Sequence, residues 1–318
     1  MERLRQDDPS QVGPYAVLGR FDADSAERTV PERRYLGRTA DGERTVLVCV
    51  PRVGADPSRW AIEAEGARRL SVPRFLGIAE VGGTAGFPWY AAPYTPALSL
   101  PAVLAAYGGP LPEDTVRRLG AALAEALAAA HAQGVTHAGL SPAAVLVTPG
   151  GPLLTCVGAV RAAAPDGVRR AGLPGLDAGC LAVEQASGGR PGPLGDVFAL
   201  GAVLAYASTG HTVPEQSELP PGLRRLVGSC LSSDPALRPQ SAREVLRVLV
   251  SPAAGEGPGG EAHRPAGETY PPAGTVLDHA AVPLPGRVVA ALAAQSAALL
   301  AAELPAPQQP FASPQKVH

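Results

Sequence analysis

The sequence predicts an α+β chain in which strands come first and helices follow. Three observations carry that prediction. Arg34 to Thr39 and Arg44 to Val50 are two strand-like runs joined by Asp41-Gly42, a dipeptide whose backbone suits a tight hairpin turn. From Pro112 to His131 the chain changes to helical spacing, with Leu119, Leu123 and Leu127 four apart on one face. At 318 residues, 46% hydrophobic and 18% charged, the chain can bury a sizeable core, enough for one two-lobed domain or two small ones.

Composition narrows the classes of function. A net charge of -2 and a pI near 6.3 provide no basic field, which argues against nucleic-acid or anionic-membrane binding and leaves a protein partner as the expectation. The opening MERLRQDDPS is charged and has no apolar core, so no signal peptide is expected there. Val288 to Ala302 is interrupted by Gln295 and Ser296 and falls short of the roughly 20 residues that a spanning helix needs, so no membrane span is expected and a cytoplasmic location is. Cysteines at 49, 156, 180 and 230 show neither metal spacing nor a disulfide framework, as in a reducing compartment. Lys316 is the only lysine and there is no asparagine. A bias toward Ala, Arg, Gly and Pro accounts for their rarity, but the chemistry of both is thereby missing from the body of the chain.

The stretch His131 to Val147, HAQGVTHAGLSPAAVLV, resembles the catalytic loop of protein kinases, HRDLKPxN, in which the Asp is the catalytic base and the Asn holds a magnesium ion. His137, Leu140 and Pro142 keep the frame. Ala138, Gly139, Ser141 and Ala144 stand where Arg, Asp, Lys and Asn would be. For His137 a structural role in the turn is favoured over a new catalyst, because no carboxylate or nucleophile lies close in sequence. The resemblance is to bacterial serine/threonine protein kinases in degenerate form, and it covers roughly Gly13 to Val250. It implies a two-lobed kinase-like fold with a small β-rich lobe and a larger helical one.

In chain order, residues 1–12 read as a loose N-terminal arm. GPYAVLGRF from Gly13 resembles the opening strand of the family, but the turn after it, FDADSAERTVPERR, has none of the glycines that let backbone amides drape over phosphates. Asp22 and Asp24 there either oppose a phosphate or form a solvated hairpin tip. TVLVCVPRV resembles the family's VAIK strand with Cys49, small and uncharged at neutral pH, in the lysine's place. Strand alternation points Arg52 to the opposite face, so it is a poor substitute. SRWAIEAEGARRL resembles the regulatory helix, with Glu63 either facing the cleft without its cationic partner or exposed on the surface. FPWYAAPYTPALSL resembles the last small-lobe strand and the hinge, with Ala92 as gatekeeper and Pro93, Tyr94 and Thr95 as a connection that can still accept a flat ring. The small lobe is thus expected over 13–92.

The large lobe is expected over 93–250. TCVGAVR resembles the DFG segment, with Cys156 for the metal-binding Asp, Val157 for Phe and Gly158 retained. Ala159 to Val183 contains no Ser, Thr or Tyr, and the Arg that clamps an activating phosphate is replaced by Ala138, so switch and receiver are missing together. LAVEQ resembles the APE motif with Glu184 retained and Val183 for Pro. Asp196 in DVFALGAVLAYASTG occupies the position that braces the catalytic loop, and Arg238 in SSDPALRPQSAREVL the position that pairs Glu184. A Pro/Gly/Ala-rich linker is expected over 251–285, a C-terminal helix over 286–304 that docks on its own domain or on a partner, and a tail over 305–318.

The resemblance implies no intact catalytic residue, no metal ligand, and weak or absent binding of ATP and magnesium, because a triphosphate would meet thiols, methyl groups and acids. It points to a pseudokinase acting as a signalling scaffold or allosteric regulator, with an active kinase or another signalling protein as partner. The alternative is a residual or atypical ATP-dependent serine/threonine kinase. Cys49 and Cys156 either fill a collapsed pocket or let it sense oxidants or bind a soft metal.

Overall fold

In the computed structural model, which describes residues 2–22, 29–251 and 282–303, the first third of the chain is a six-stranded sheet in the order β1-β2-β3-β4-β6-β5. Its strands are β1 (Gln11–Val12), β2 (Tyr15–Arg20), β3 (Glu32–Thr39), β4 (Thr45–Pro51), β5 (Glu80–Thr84) and β6 (Phe87–Pro93). The Asp41-Gly42 turn joins β3 to β4: Gly42 takes φ +79°, and the Asp41 carboxylate accepts from Thr39 Oγ1 and Glu43 N. That turn sets the register, which pairs Leu36 with Leu47 and Arg34 with Cys49. Helix α1 (Pro57–Arg68) starts where the Asp56 side chain accepts from Ser58 N and Arg59 N. It buries Trp60 and Ala64 against the sheet, the Trp60 ring stacking on Tyr90 with centroids 5.4 Å apart.

The outer face of the sheet carries Val12, Tyr15, Val17, Tyr35, Val46, Val48 and Ala91 as a cluster of its own. The N-terminal arm is tied down beside it rather than loose. Glu2 bridges Arg20 through backbone hydrogen bonds, Asp8 accepts from Tyr35 Oη at 2.8 Å and lies 3.4 Å from Arg20 Nε, and Gln11 and Val12 join the sheet. Buried polar tips on β2 and β3 find their partners there.

The second lobe begins at β7 (Leu98–Ser99), which forms a three-stranded sheet with β8 (Val145–Thr148) and β9 (Gly151–Leu154). Helices α2 (Leu100–Tyr107), α3 (Glu113–Ala132), α4 (Ala159–Ala163), α5 (Val183–Ala186), α6 (Pro193–Thr209), α7 (Pro221–Cys230) and α8 (Ala242–Val250) make up the rest. Leu119, Leu123 and Leu127 of α3 pack with Val197, Leu200, Val203 and Leu204 of α6 in the principal core. Helix α7 closes that core with Leu223, Leu226 and Val227, on a stretch that the sequence reading leaves unassigned.

The last described element, α9 (Gly286–Leu300), is shorter than the 286–304 expected and docks on its own domain. Val282, Val288 and Leu292 are buried, the latter two in the principal core. Most of the expected linker, residues 252–281, and the tail from 304 onward lie outside the described residues.

Candidate functional site

The cleft between the lobes is organised by Asp196, at the start of α6 and 1% exposed. Its Oδ2 accepts from His137 N at 2.8 Å and its Oδ1 from Ala138 N at 2.9 Å, while His131 Nε2 lies 2.8 Å from Oδ2. A carboxylate accepting from two successive amides holds the loop in one shape, including Ala138 at φ +51°. The His137 ring is buried, 5.7 Å from the Phe75 ring, and burial pushes its pKa down to about 4. His137 is therefore neutral at physiological pH and serves packing.

Two backbone hydrogen bonds join this loop to the Cys156-Val157-Gly158 turn: Gly158 N donates to His137 O and Val160 N to Ala138 O, both at 2.8 Å. Cys156 takes φ +60° to make the turn. The approach is so close that Gly139 has no room for a side chain: a Cβ there would collide with the Cys156 carbonyl oxygen and lie 2.7 Å from Ala159 Cβ. Ser141 Oγ accepts from Ala144 N at 3.3 Å, and Ala143 and Ala144 are fully buried.

The interior of the cleft is polar and already paired. Arg34, opposite Cys49 in the sheet, is fully buried. Its Nε donates to Asp22 Oδ2 at 2.5 Å and its Nη2 to Asp22 Oδ1 at 2.8 Å, while Nη2 and Nη1 reach across the lobes to Ala143 O at 2.8 Å and Thr155 Oγ1 at 3.3 Å. Burial works against the guanidinium charge, but the Asp22 carboxylate outweighs it and the Arg34 pKa rises. Two expectations are corrected here. The cleft does contain a cation, and Asp22 is a buried counter-ion, not the tip of a solvated hairpin; Asp24 lies outside the described residues.

Beside this pair, Glu32 Oε1 accepts from Tyr90 Oη at 2.8 Å and from Cys156 Sγ at 3.4 Å. Burial raises the pKa of Glu32, and it raises those of Cys49 and Cys156 well above the ordinary thiol range, with Glu32 adding to both. All four cysteines are free and buried. Protonated, enclosed thiols are poor nucleophiles and poor metal ligands, which favours the pocket-filling reading of Cys49 and Cys156 over the oxidant-sensing one. The space left among Glu32, Tyr90, Thr155 and Cys156 is about 30 Å³. That suits a water molecule, against the several hundred Å³ typical of small-molecule sites.

Glu63 is the third correction, since it does have a cationic partner. Arg161 of α4 donates to its carboxylate from Nε at 3.0 Å and from Nη2 at 2.8 Å, and a Cβ on Gly158, at φ +80°, would overlap the same carboxylate. Arg52 points away from this cluster and donates to Val30 O at 3.4 Å. Downstream, the segment without hydroxyls is held by Arg170, fully buried, which donates to Ala164 O, Gly189 O and Asp166 Oδ1. Glu184 and Arg238 come together in a bidentate pair at 2.6 and 2.9 Å, and Arg238 also binds Leu194 O and Ser232 O.

At the connection between the lobes Ala92 is fully buried and paired with Leu47, and Tyr94 N donates to Thr45 O at 3.1 Å, while Pro93 and Thr95 are exposed. The apolar end of the cleft is filled by α9. Leu299, 3% exposed, belongs to the cluster formed by Phe21, Leu36, Leu47, Cys49 and Tyr90 from the small lobe and Leu146 from the large one.

No family model matches the sequence. The chain is 32% identical over 277 residues to the probable serine/threonine-protein kinase PkwA of Thermomonospora curvata, covering 80% of this chain and 36% of that one. It is 31% identical over 264 residues to the serine/threonine-protein kinase AfsK of Streptomyces coelicolor, covering 76% and 32%. The chain thus spans about a third of the length of these relatives. Among solved structures it superimposes on a point mutant of the Mycobacterium tuberculosis PknI kinase domain with a TM-score of 0.59 at 23% identity, over 77% of this chain and 98% of that one. The fold is that of a protein kinase.

Within this kinase-like domain the structure gathers Cys49, Gly139, Ser141, Ala144 and Cys156 around one cleft, with Ala92 to Thr95 along its back edge and Glu63, His137, Gly158 and Asp196 framing it. Glu184 and Arg238 brace the large lobe away from it. Contributions to the cleft that escape the sequence reading include Glu32 with Tyr90, Arg34 with its Asp22 pairing, Arg161, and Leu299. For Arg34 a signal exists, because the Asp41-Gly42 turn dictates the register that sets it opposite Cys49. The others join the cleft through contacts far apart in sequence. Among the described residues no helix is long and apolar enough to cross a membrane, and no group of three His, Cys, Asp or Glu is placed to hold a metal.

Proposed function

We propose that this is a catalytically inactive kinase-like domain, a pseudokinase that works as a signalling scaffold or allosteric regulator through protein contacts. The observation that carries the proposal is the absence of space at Gly139: where the resemblance puts the catalytic base, the backbone is packed too closely against Cys156 and Ala159 for any side chain. Loss of a general base alone costs about 10² to 10⁴ in rate. The rest of the cleft supports the same reading. Cys49, Ala144 and Cys156 offer no cation and no carboxylate to a triphosphate or a magnesium ion, and the guanidinium that is present is already committed to Asp22. These residues do not fit a magnesium nucleotide.

Under this proposal the partner is a protein, an active kinase or another signalling protein, in the cytoplasm. The competing reading, an atypical ATP-dependent serine/threonine kinase, is favoured by the names of the relatives, which are kinases. Calorimetry with ATP, with and without magnesium, separates the two. The expected result is no heat of binding at millimolar nucleotide; magnesium-dependent binding accompanied by phosphate transfer would overturn the proposal.

A further inference from the structure

We propose that the groove between the lobes is a binding site for an amphipathic α-helix, and that α9 is its resident, exchangeable ligand. Four residues of α9 spaced i, i+4, i+7 and i+11 are buried: Val288, Leu292, Gln295 and Leu299. Together they meet three parts of the domain. Val288 and Leu292 enter the principal core beside α2. Gln295, only 4% exposed, receives a hydrogen bond on Oε1 from Tyr94 Oη at 3.3 Å, at the connection between the lobes. Leu299 completes the apolar cluster that spans the cleft.

The groove also reads where the helix stops. Arg38 of β3 donates to Leu299 O at 2.7 Å and to Ala302 O at 3.0 Å, carbonyls in the last turn and just past the helix, at the negative end of its dipole. Arg287 donates to Tyr107 O at the other end. Apolar anchors at fixed spacing, one polar position matched by a tyrosine hydroxyl, and a guanidinium at the C-terminus together specify a helix by sequence, register and length. The outward side of α9 leaves Val289 and Leu300 exposed, and no side chain caps its N-terminus, so the groove, rather than any autonomous stability, holds it as a helix. Its tether runs from Ser251 to Pro285, so occupation in cis is governed by a finite effective concentration and yields to a helix of the same pattern in trans.

This rests on the protein-contact reading above and deepens it by naming the chemical class of the ligand, and its first test starts from a full chain with every contact residue unchanged. A protease site is placed in the connection between Ser251 and Pro285, the chain is cut, and exchange of the α9 fragment is followed with a fluorescent synthetic peptide of residues 282–303. The expected result is exchange at a dissociation constant in the micromolar range with the rest of the domain still folded. A peptide carrying Leu299→Glu should bind at least tenfold more weakly, as should the unaltered peptide to a chain carrying Arg38→Gln. Hydrogen exchange on the uncut protein should show α9 opening at least tenfold more often than α3 and α6. If the fragment leaves only when the whole domain unfolds, or if the Leu299→Glu peptide binds as well as the unaltered one, the proposal fails. ATP with magnesium is added to the emptied groove as a separate arm. Magnesium-dependent nucleotide binding there with phosphate transfer sinks the pseudokinase reading and leaves the helix site standing, whereas failed exchange does the reverse.

Discussion

Replacing Arg34 by methionine keeps much of the volume and removes the charge, and the structure sets the size of the effect. Arg34 and Asp22 have side-chain exposures of 0% and 1%, so Arg34→Met leaves a buried carboxylate without its guanidinium. Breaking a pair of this kind by removing one partner costs about 3–5 kcal/mol. At about 2–4 °C per kcal/mol for a domain of this size, the melting temperature should fall by roughly 6 to 20 °C. Asp22→Leu combined with Arg34→Met removes both charges, and because well-packed apolar replacements of buried pairs are often neutral, at least half of the loss should return. Urea unfolding of the two single variants and the double variant measures the coupling directly. A loss below about 1 kcal/mol for Arg34→Met, or a double variant as unstable as the sum of the singles, would refute the claim that this pair bolts the cleft shut.

The Glu63–Arg161 pair is a useful contrast: its side chains are 19% and 36% exposed, so Arg161→Ala should cost about 1 kcal/mol or less in the same assay. Gly139→Ala should destabilise by about 1–3 kcal/mol through its collision with the Cys156 turn, and Gly139→Asp combined with Cys49→Lys, Ala144→Asn and Cys156→Asp should gain no phosphotransfer in a radiolabel assay; turnover would show that the loop opens readily. The His137 pKa, pushed from 6.5 to about 4 chiefly by burial, is lower folded than unfolded, so the unfolded chain binds more protons between those values. His137 therefore costs nothing above about pH 6.5, and stability falls by up to about 3 kcal/mol as pH drops toward 4. Comparing His137→Gln with the unaltered chain at pH 7 and pH 4.5 isolates that slope, since the opposing contribution of Glu32 is common to both; equal slopes would count against it.

What could be read in advance was local or framed by short motifs. The Asp41-Gly42 hairpin and the helix Glu113–Ala132 follow from turn chemistry and spacing within a few residues, and together with the motif frame they led to the two-lobed fold. The positions that stand in the cleft were nameable because His137, Leu140, Pro142 and Gly158 keep a recognisable spacing. What fills the cleft was not. Arg34 reaches Asp22 twelve residues away and Ala143 and Thr155 more than a hundred away, and Arg161 reaches Glu63 across 98. No periodicity encodes such pairings. Helix Pro221–Cys230 was missed because Gly222 and Gly228 dilute a short pattern, and the stripe on α9 specified a buried face without saying against what.

One consequence of the α9 placement concerns how the molecule breathes. A single helix is anchored in the large lobe by Val288 and Leu292 and in the small lobe by Leu299 and Arg38, spanning at Tyr94 the strip that joins the two. A strut across a hinge turns two rocking bodies into one. Calorimetry should accordingly record a single melting event with matching calorimetric and van't Hoff enthalpies, and removing the strut should split it into two, the sheet lobe melting first.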